Sequence, residues 1–589
     1  MEPRYLSPPC PASASVQKTK NSSWCLPNSW GSFWFPAIVL LFVWALLVLI
    51  VNPVGEFMVN DDWAFVKSLE AFRSEGRLIA TGWGPSGAPG GPALIFHLLW
   101  GDLFSYLAGF SLTTLRISVL TLGILGSFGL LCLFWAAGVS PWLSLLGTLT
   151  VVVNPLFLAE SFTYMTDVTF ASLAIFALLF LSLGVEKSRT SLIIMGLVFA
   201  LGSILTRQIG MVIPLAFLGA CWGHPQGKKL GKLRMTFLAV GIALIPWSVY
   251  EVFLSLQGST PLTQHQVIHK IFTAPVEKGF LGYLGFLGSN LFFSELAYVG
   301  FFVSPLLALG YGYYFQRKSF RHFFVTLTAS FIILEAAILA GLVNPPVIFA
   351  RNVLFNLGIG PILLKDTYIL GIQRTVAISP PVYYLLVYWA VLAAGVLLAL
   401  IFSSLKGLLP HDGQGERPPP SFAATMSLLA AVFYLIIITL TGLHDRYLIP
   451  VIIFLVIWLV LDKASAQDSF TRFWRILPGL VPLFLFMFFT PLALHDFMEM
   501  KRSLKSAQDH LVQDLKVEPC HLDGGFEFNG YHCYNQDFKG RPGLSWWWVS
   551  REDYLLTLGP LPGYRLLRSF PFKRYLGGEG AVCVLEPES

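Results

Sequence analysis

Two carboxylates stand side by side in "MVNDDWAF", Asp61 and Asp62, a few residues beyond the first long apolar run of the chain. Adjacent acids raise one another's pKa, which suits one of them to taking a proton from a hydroxyl. Further ionisable groups recur at the ends of later apolar runs: Glu160 and Asp167 in "AESFTYMTDVTF", Arg207 in "LTRQIG", Arg351 in "ARNVLF" and Arg446 in "HDRY". Several have a plainer alternative. A paired acid at a helix end is often a solvated turn, Asp167 could cap its helix, and Arg207 and Arg446 could be interfacial anchors. His97, on an apolar stretch, reads as a packed, hydrogen-bonded histidine. The triplet Trp546, Trp547 and Trp548 could be an aromatic belt at a membrane surface.

The elements that must position these groups are membrane helices. Of the 589 residues 55% are hydrophobic and only 12% charged, about half the charged share of a soluble domain. Apolar runs long enough to cross a bilayer are predicted near 33–52, 113–136, 140–160, 168–185, 190–207, 209–223, 235–255, 291–314, 323–342, 381–403, 422–441, 447–462 and 476–495. The first is too long and too late for a cleaved signal peptide.

Orientation follows from charge. The short loops "EKSR", "GKKLGKLR", "QRKSFRH" and "DKASAQDSFTRFWR" all fall on one side when the N-terminus is cytoplasmic and the spans number about thirteen. Residues 1–31 then form a cytoplasmic tail, 32–495 the membrane domain, and 496–589 a small extracytoplasmic domain of mixed α/β pattern. Residues 53–112 form a first extracytoplasmic loop with amphipathic helices on the membrane surface. Asp61, Asp62, Glu160, Asp167, Arg207, Arg351 and Arg446 all land on the extracytoplasmic side. Charges at a bilayer are costly, so such one-sided clustering points to a site. Among seven cysteines no zinc-type spacing occurs, and Cys520 and Cys533 could pair.

An acidic pair in the first extracytoplasmic loop of a polytopic chain resembles the GT-C superfamily of membrane glycosyltransferases. "NDDWAF" is similar to the acidic motif of its family 39 branch, which includes protein O-mannosyltransferases and bacterial transferases that move aminoarabinose onto lipid A. "TYMTDVTF", "LTRQIG", "RNVLFNLGIGP", "HDRYLIP", "DGGFEFNGY" and "SWWWVSREDY" look like further elements of that branch, in its order. Asp62 departs from it, since glutamate is common at that position.

The resemblance implies an all-α GT-C-type membrane bundle with a small extracytoplasmic α/β domain. It implies an inverting transfer of sugar from a polyprenyl-phosphate carrier to a glycolipid, glycan or protein outside the cytoplasm. Asp61 would be the base, Asp62 its neighbour and Asp167 a third acid. Arg207, Arg351 and Arg446 would hold the lipid phosphate, for which the guanidinium fork is suited. The tryptophan triplet would meet the acceptor. No metal or other cofactor is expected, although a divalent ion would be compatible with the acids, and no nucleic acid is expected as a partner. The extracytoplasmic segments carry no N-x-S/T sequon, which favours a bacterial inner membrane over the endoplasmic reticulum. A lipid or polysaccharide transporter, or a glycan-binding membrane protein without catalysis, is the alternative. A transporter would be expected to show internal repeats and mid-membrane polar groups.

Overall fold

The computed structural model describes residues 31–76, 95–224, 232–256, 275–289, 295–308, 352–355, 358–374, 379–408, 421–441, 444–464, 477–535 and 537–588, with 269 and 273. Residues 1–30 of the expected tail, the expected span at 323–342 and Arg351 lie outside the described residues.

Membrane-length apolar helices dominate, as expected. Among the described residues seven are long and apolar enough to cross a bilayer, or up to eight if a bent pair is one span, and shorter apolar helices stand beside them. The protein is an integral membrane protein. The N-terminal half comprises α1 (Gly31–Val51), α2 (Asp62–Glu75), α3 (Ile95–Ala108), α4 (Leu112–Ala136), α5 (Pro141–Val152), α6 (Pro155–Ser161), α7 (Thr166–Glu186), α8 (Thr190–Ile204), α9 (Val212–Gly223) and α10 (Lys232–Leu256). After α11 (Phe280–Ser289) and α12 (Leu296–Phe302) come a two-stranded hairpin, β1 (Leu354–Phe355) and β2 (Gly358–Ile359), and then α13 (Pro380–Leu408), α14 (Phe422–Thr441), α15 (Ile449–Ala464) and α16 (Leu477–Asp509). Helix α7 packs on α4 and α8, and α14 on α15 and α9. Small residues bring α4 and α7 together: a Cβ on Gly126 would stand 2.5 Å from Ser172 Oγ.

Two departures from the expected spans bear on the site. The run at 140–160 is a pair of helices, α5 and α6, bent by 65°. Asn154 breaks it: its side-chain oxygen accepts from the amides of Leu156 and Phe157, and Pro155 starts the next helix. Thr490 Oγ1 donates to the Val153 carbonyl at 2.9 Å, so the break leaves that buried acceptor satisfied. The break turns Glu160 toward the site end of the bundle. The last span does not stop at 495; α16 continues unbroken to Asp509, past the point expected to divide membrane domain from tail.

The tail folds against that extension. Its sheet has the order β3 (Leu522–Asp523), β4 (Tyr554–Thr557), β6 (Glu579–Pro587), β5 (Tyr564–Lys573), with β3–β4 parallel and the other pairs antiparallel. Leu556 faces Val584 and Ser569 faces Cys583 across it. Helix α17 (Phe526–Cys533) precedes β4, and β5 and β6 pack on α16. The expected mixed α/β content is present. Cys520 and Cys533 are joined by a disulfide, with Cα atoms 5.6 Å apart.

Candidate active site

Asp61 follows α1 on an extended segment that Arg116 of α4 holds in place. The buried Arg116 guanidinium donates to the carbonyls of Pro53 (2.7 Å), Gly55 (3.0 Å) and Phe57 (2.8 Å), and lies over the Phe57 ring. Three backbone acceptors on one fork fix the path of the chain into the acidic pair. Asn60 then takes a left-handed conformation (φ 57°), an uncommon state for a residue other than glycine, and the chain turns into α2 at Asp62.

The two acids point to different partners. Asp61, 4% exposed, accepts a 2.7 Å hydrogen bond at Oδ2 from Arg446 Nη2 across 385 residues of sequence. No donor reaches its Oδ1 among the described residues. Asp62 Oδ1 instead accepts from the Val59 amide at 2.7 Å, tying off the turn. Burial pushes the Asp62 carboxyl up to about 7; Arg116 and the Val59 amide oppose that rise, and Glu527 of the tail adds to it. Burial is the main cause of the rise at Asp62.

The remaining expected residues divide cleanly. Asp167 stands in the first turn of α7, but the capping position is Met165, which makes no side-chain cap, so the helix-cap alternative fails. Its Oδ1 pairs with Arg207, and its buried Oδ2 has no partner among the described residues. The Arg207 guanidinium lies over the Tyr447 ring at 4.7 Å, and Arg446 lies over the same ring at 5.6 Å. Asp61, Arg446, Tyr447, Arg207 and Asp167 therefore form one chain of contacts. Glu160 joins it electrostatically, within range of Asp167, Arg446 and Asp445. Two nitrogens of the buried Arg446, Nε and Nη1, have no hydrogen-bond partner among the described residues. A buried guanidinium with two idle donors can accept an anion without losing its carboxylate partner.

His97 is what its apolar surroundings suggested. Its Nε2 meets the Tyr164 carbonyl at 3.2 Å, and a carbonyl can only accept, so Nε2 carries the proton and Nδ1 accepts from Thr169 Oγ1 at 3.0 Å. It braces the turn that carries Asp167.

The tryptophan triplet does not form a common surface. Trp547 and Trp548 are buried at 1% and 4% exposure, and only Trp546 is open, at 37%. Trp548 meets Trp63, two residues after Asp61, edge to face at 5.6 Å, and Trp547 packs on Phe526 and Tyr368. Trp548 thus braces the acidic turn from the tail side with Trp547 packed behind it, and Trp546 is the exposed member of the triplet.

Asp445, in "HDRY", has a structural role that the sequence reading did not assign. Its carboxylate accepts from the amides of Val353, Leu354 and Arg446 at 2.9–3.0 Å, pinning the segment that follows Arg351 to the site. Nothing local in the sequence distinguishes this acid from a catalytic one.

Residues 91–251 match the family model described as dolichyl-phosphate-mannose-protein mannosyltransferase. That stretch carries this family's sequence pattern. It bears out the resemblance to GT-C transferases, and it contains Glu160, Asp167 and Arg207 but neither Asp61 nor Arg446. Among solved structures, the chain is similar to ArnT from Cupriavidus metallidurans bound to undecaprenyl phosphate, at 13% identity and a TM-score of 0.42. It is also similar to ArnT from the same organism in the apo state, at 14% identity and a TM-score of 0.33. Both alignments cover 85% of this chain and 84% of the other. No curated protein matches.

Proposed function

We propose that this protein is an inverting membrane glycosyltransferase that moves a sugar from a polyprenyl-phosphate carrier to an extracytoplasmic hydroxyl. The observation that carries this is the buried Asp61–Arg446 pair, in which Oδ1 of the carboxylate and two nitrogens of the guanidinium have no hydrogen-bond partner among the described residues. In the proposed step the acceptor hydroxyl attacks the anomeric carbon and gives its proton to Asp61. The bond from that carbon to the carrier phosphate breaks, and the phosphate leaves as an anion. A phosphate is already a good leaving group, so one carboxylate suffices, where a glycoside hydrolase needs two. Arg446 and Arg207 supply fixed positive charge where negative charge develops, and Arg351 is proposed to join them. Trp546 is proposed at the acceptor side. The step as proposed uses no metal.

The family match supports the reaction class. The tail's disulfide supports an oxidising, extracytoplasmic side for residues 496–589, and a bacterial inner membrane with the N-terminus inside is part of the proposal. The test is Asp61→Asn in purified protein supplied with labelled polyprenyl-phosphate sugars. Transfer should fall by roughly a hundredfold to ten-thousandfold while lipid binding persists. Wild-type transfer by that variant would remove Asp61 from the chemistry.

A further inference from the structure

The residue just before the proposed base is held by the tail. Glu527, in the first turn of α17, is 4% exposed, and its Oε1 accepts both from Lys501 Nζ of α16 at 2.6 Å and from the Asn60 backbone amide at 3.1 Å. The other face of Asn60 is held too, since its Nδ2 donates to Asn352 Oδ1 at 2.8 Å. Asparagine tolerates the left-handed state better than most residues, and at Asn60 hydrogen bonds on both sides fix it there. Here the enforcing bonds come from two segments distant in sequence, 292 and 467 residues away.

Packing alone does not account for the contact. Glu527 and Lys501 form part of the wall of a cavity of about 360 Å³ that also reaches Phe57, Met58, Val66 and Tyr531. At this point tail and loop meet across a gap through polar bonds. Just beyond it the fit is tight: a Cβ on Gly530 would stand 2.5 Å from the Trp63 ring.

We infer that Glu527 is a positioning residue, supplied by the tail, that fixes the Asn60 peptide and thereby aims Asp61 at Arg446 and the acceptor hydroxyl. The inference rests on the glycosyl-transfer proposal for what Asp61 does, but not for how it is held. A peptide rotation at Asn60 would swing the Asp61 Cα–Cβ bond, and a displacement near 1 Å at a reacting group can cost about a hundredfold in rate.

The test uses the full chain in lipid nanodiscs. Glu527→Ala removes the acceptor for the Asn60 amide; Glu527→Gln keeps an oxygen there and loses only the charge. Lys365→Met is the control, because Lys365 makes another buried tie to the tail, to Glu552 at 2.6 Å, and none to residues 57–65 among the described residues. Hydrogen exchange over residues 57–65 should speed up at least tenfold in Glu527→Ala and stay near wild type in Glu527→Gln and Lys365→Met. In transfer assays kcat should fall by tenfold or more in Glu527→Ala with donor KM within about twofold, and Glu527→Gln should recover most of it. The pH profile gives a third readout. The charged groups facing Asp62 are Arg116 of α4, Lys501 of α16 and Glu527, so Glu527→Gln should move any limb set by Asp62 to lower pH. Unchanged exchange at Asn60 in Glu527→Ala overturns the inference, whatever the activity. So does a kcat loss in Lys365→Met equal to that in Glu527→Ala. If wild type transfers no sugar but exchange responds as expected, the glycosyl-transfer proposal fails and the clamp stands.

Discussion

Replacing Arg446 by alanine separates two roles that the structure superimposes on one side chain. Nη2 binds Asp61, while Nε and Nη1 are the buried donors proposed for the lipid phosphate. Two hydrogen bonds to a charged group contribute about 1.5 kcal/mol each at the low end, so losing both should weaken binding of a polyprenyl phosphate about a hundredfold. Alanine also strands Asp61 in a buried site without its counter-charge, which costs about 3–5 kcal/mol of stability unless the acid takes up a proton. The single variant therefore confounds the roles, and the cycle with Asp61→Asn resolves them. In the Asp61→Asn background no carboxylate is left to strand, so any loss on adding Arg446→Ala belongs to the phosphate. Equilibrium binding of labelled polyprenyl phosphate to protein in nanodiscs gives the measurement. Arg446→Lys should recover binding in part, since one ammonium cannot serve carboxylate and phosphate in a fork geometry. If the double variant binds the lipid as tightly as Asp61→Asn alone, Arg446 serves only Asp61 and the phosphate assignment fails.

Three further outcomes are expected. The folded state raises Asp62 from 3.8 to about 7, so it keeps a proton that the unfolded chain has shed between those values. Wild type should therefore lose stability relative to Asp62→Asn as pH rises from about 4 to about 7, as followed by thermal unfolding in detergent; a constant difference across that window would contradict the burial of the charge. Trp548→Ala should destabilise by about 3–5 kcal/mol while Trp546→Ala changes stability little and acceptor turnover more; equal stability losses would show that exposure does not divide the triplet. Asp445→Ala leaves the buried Val353 and Leu354 amides without their acceptor, at about 1–3 kcal/mol each. The variant should lower the melting temperature, and a neutral result would place the 352–355 segment under other control.

The acids and arginines were legible because membrane charge is expensive. Once the spans were laid out, their one-sided clustering singled out Asp61, Asp62, Glu160, Asp167, Arg207, Arg351 and Arg446, and the structure links Asp61, Asp167, Arg207 and Arg446 among them through Tyr447. Their pairing was not legible. Asp61 meets Arg446 rather than Arg207 because of how α4, α7 and α15 pack, and no local pattern encodes a partner hundreds of residues away. The same limit hid Arg116, which reads as one more polar residue in an apolar helix until three carbonyls converge on it. The kink at Asn154 was within reach, because an Asn-Pro pair inside an apolar run carries both a cap and a start signal. Hydropathy averaged over a window passes over it.

The tail shows why a boundary drawn from composition can miss function. Hydropathy falls near residue 495, so the membrane domain was expected to end there, yet α16 runs on to Asp509 and carries Lys501 to the acidic turn. A helix rises about 1.5 Å per residue, so Lys501 lies only about 9 Å along the axis beyond His495. The tail then returns Glu527, Trp547 and Trp548 to the back of that turn, where Trp548 meets Trp63 and Glu527 meets Asn60. The segment holding the proposed base is thus enclosed by Arg116 from the bundle, by Asn352 beside the Asp445-pinned hairpin, and by the tail. Each supplies a bond the others cannot replace. Truncation at residue 509 would remove the tail's contribution to that turn and should abolish transfer even if the bundle still inserts. A truncated chain that transfers sugar at the wild-type rate would show that the bundle alone sets the position of Asp61.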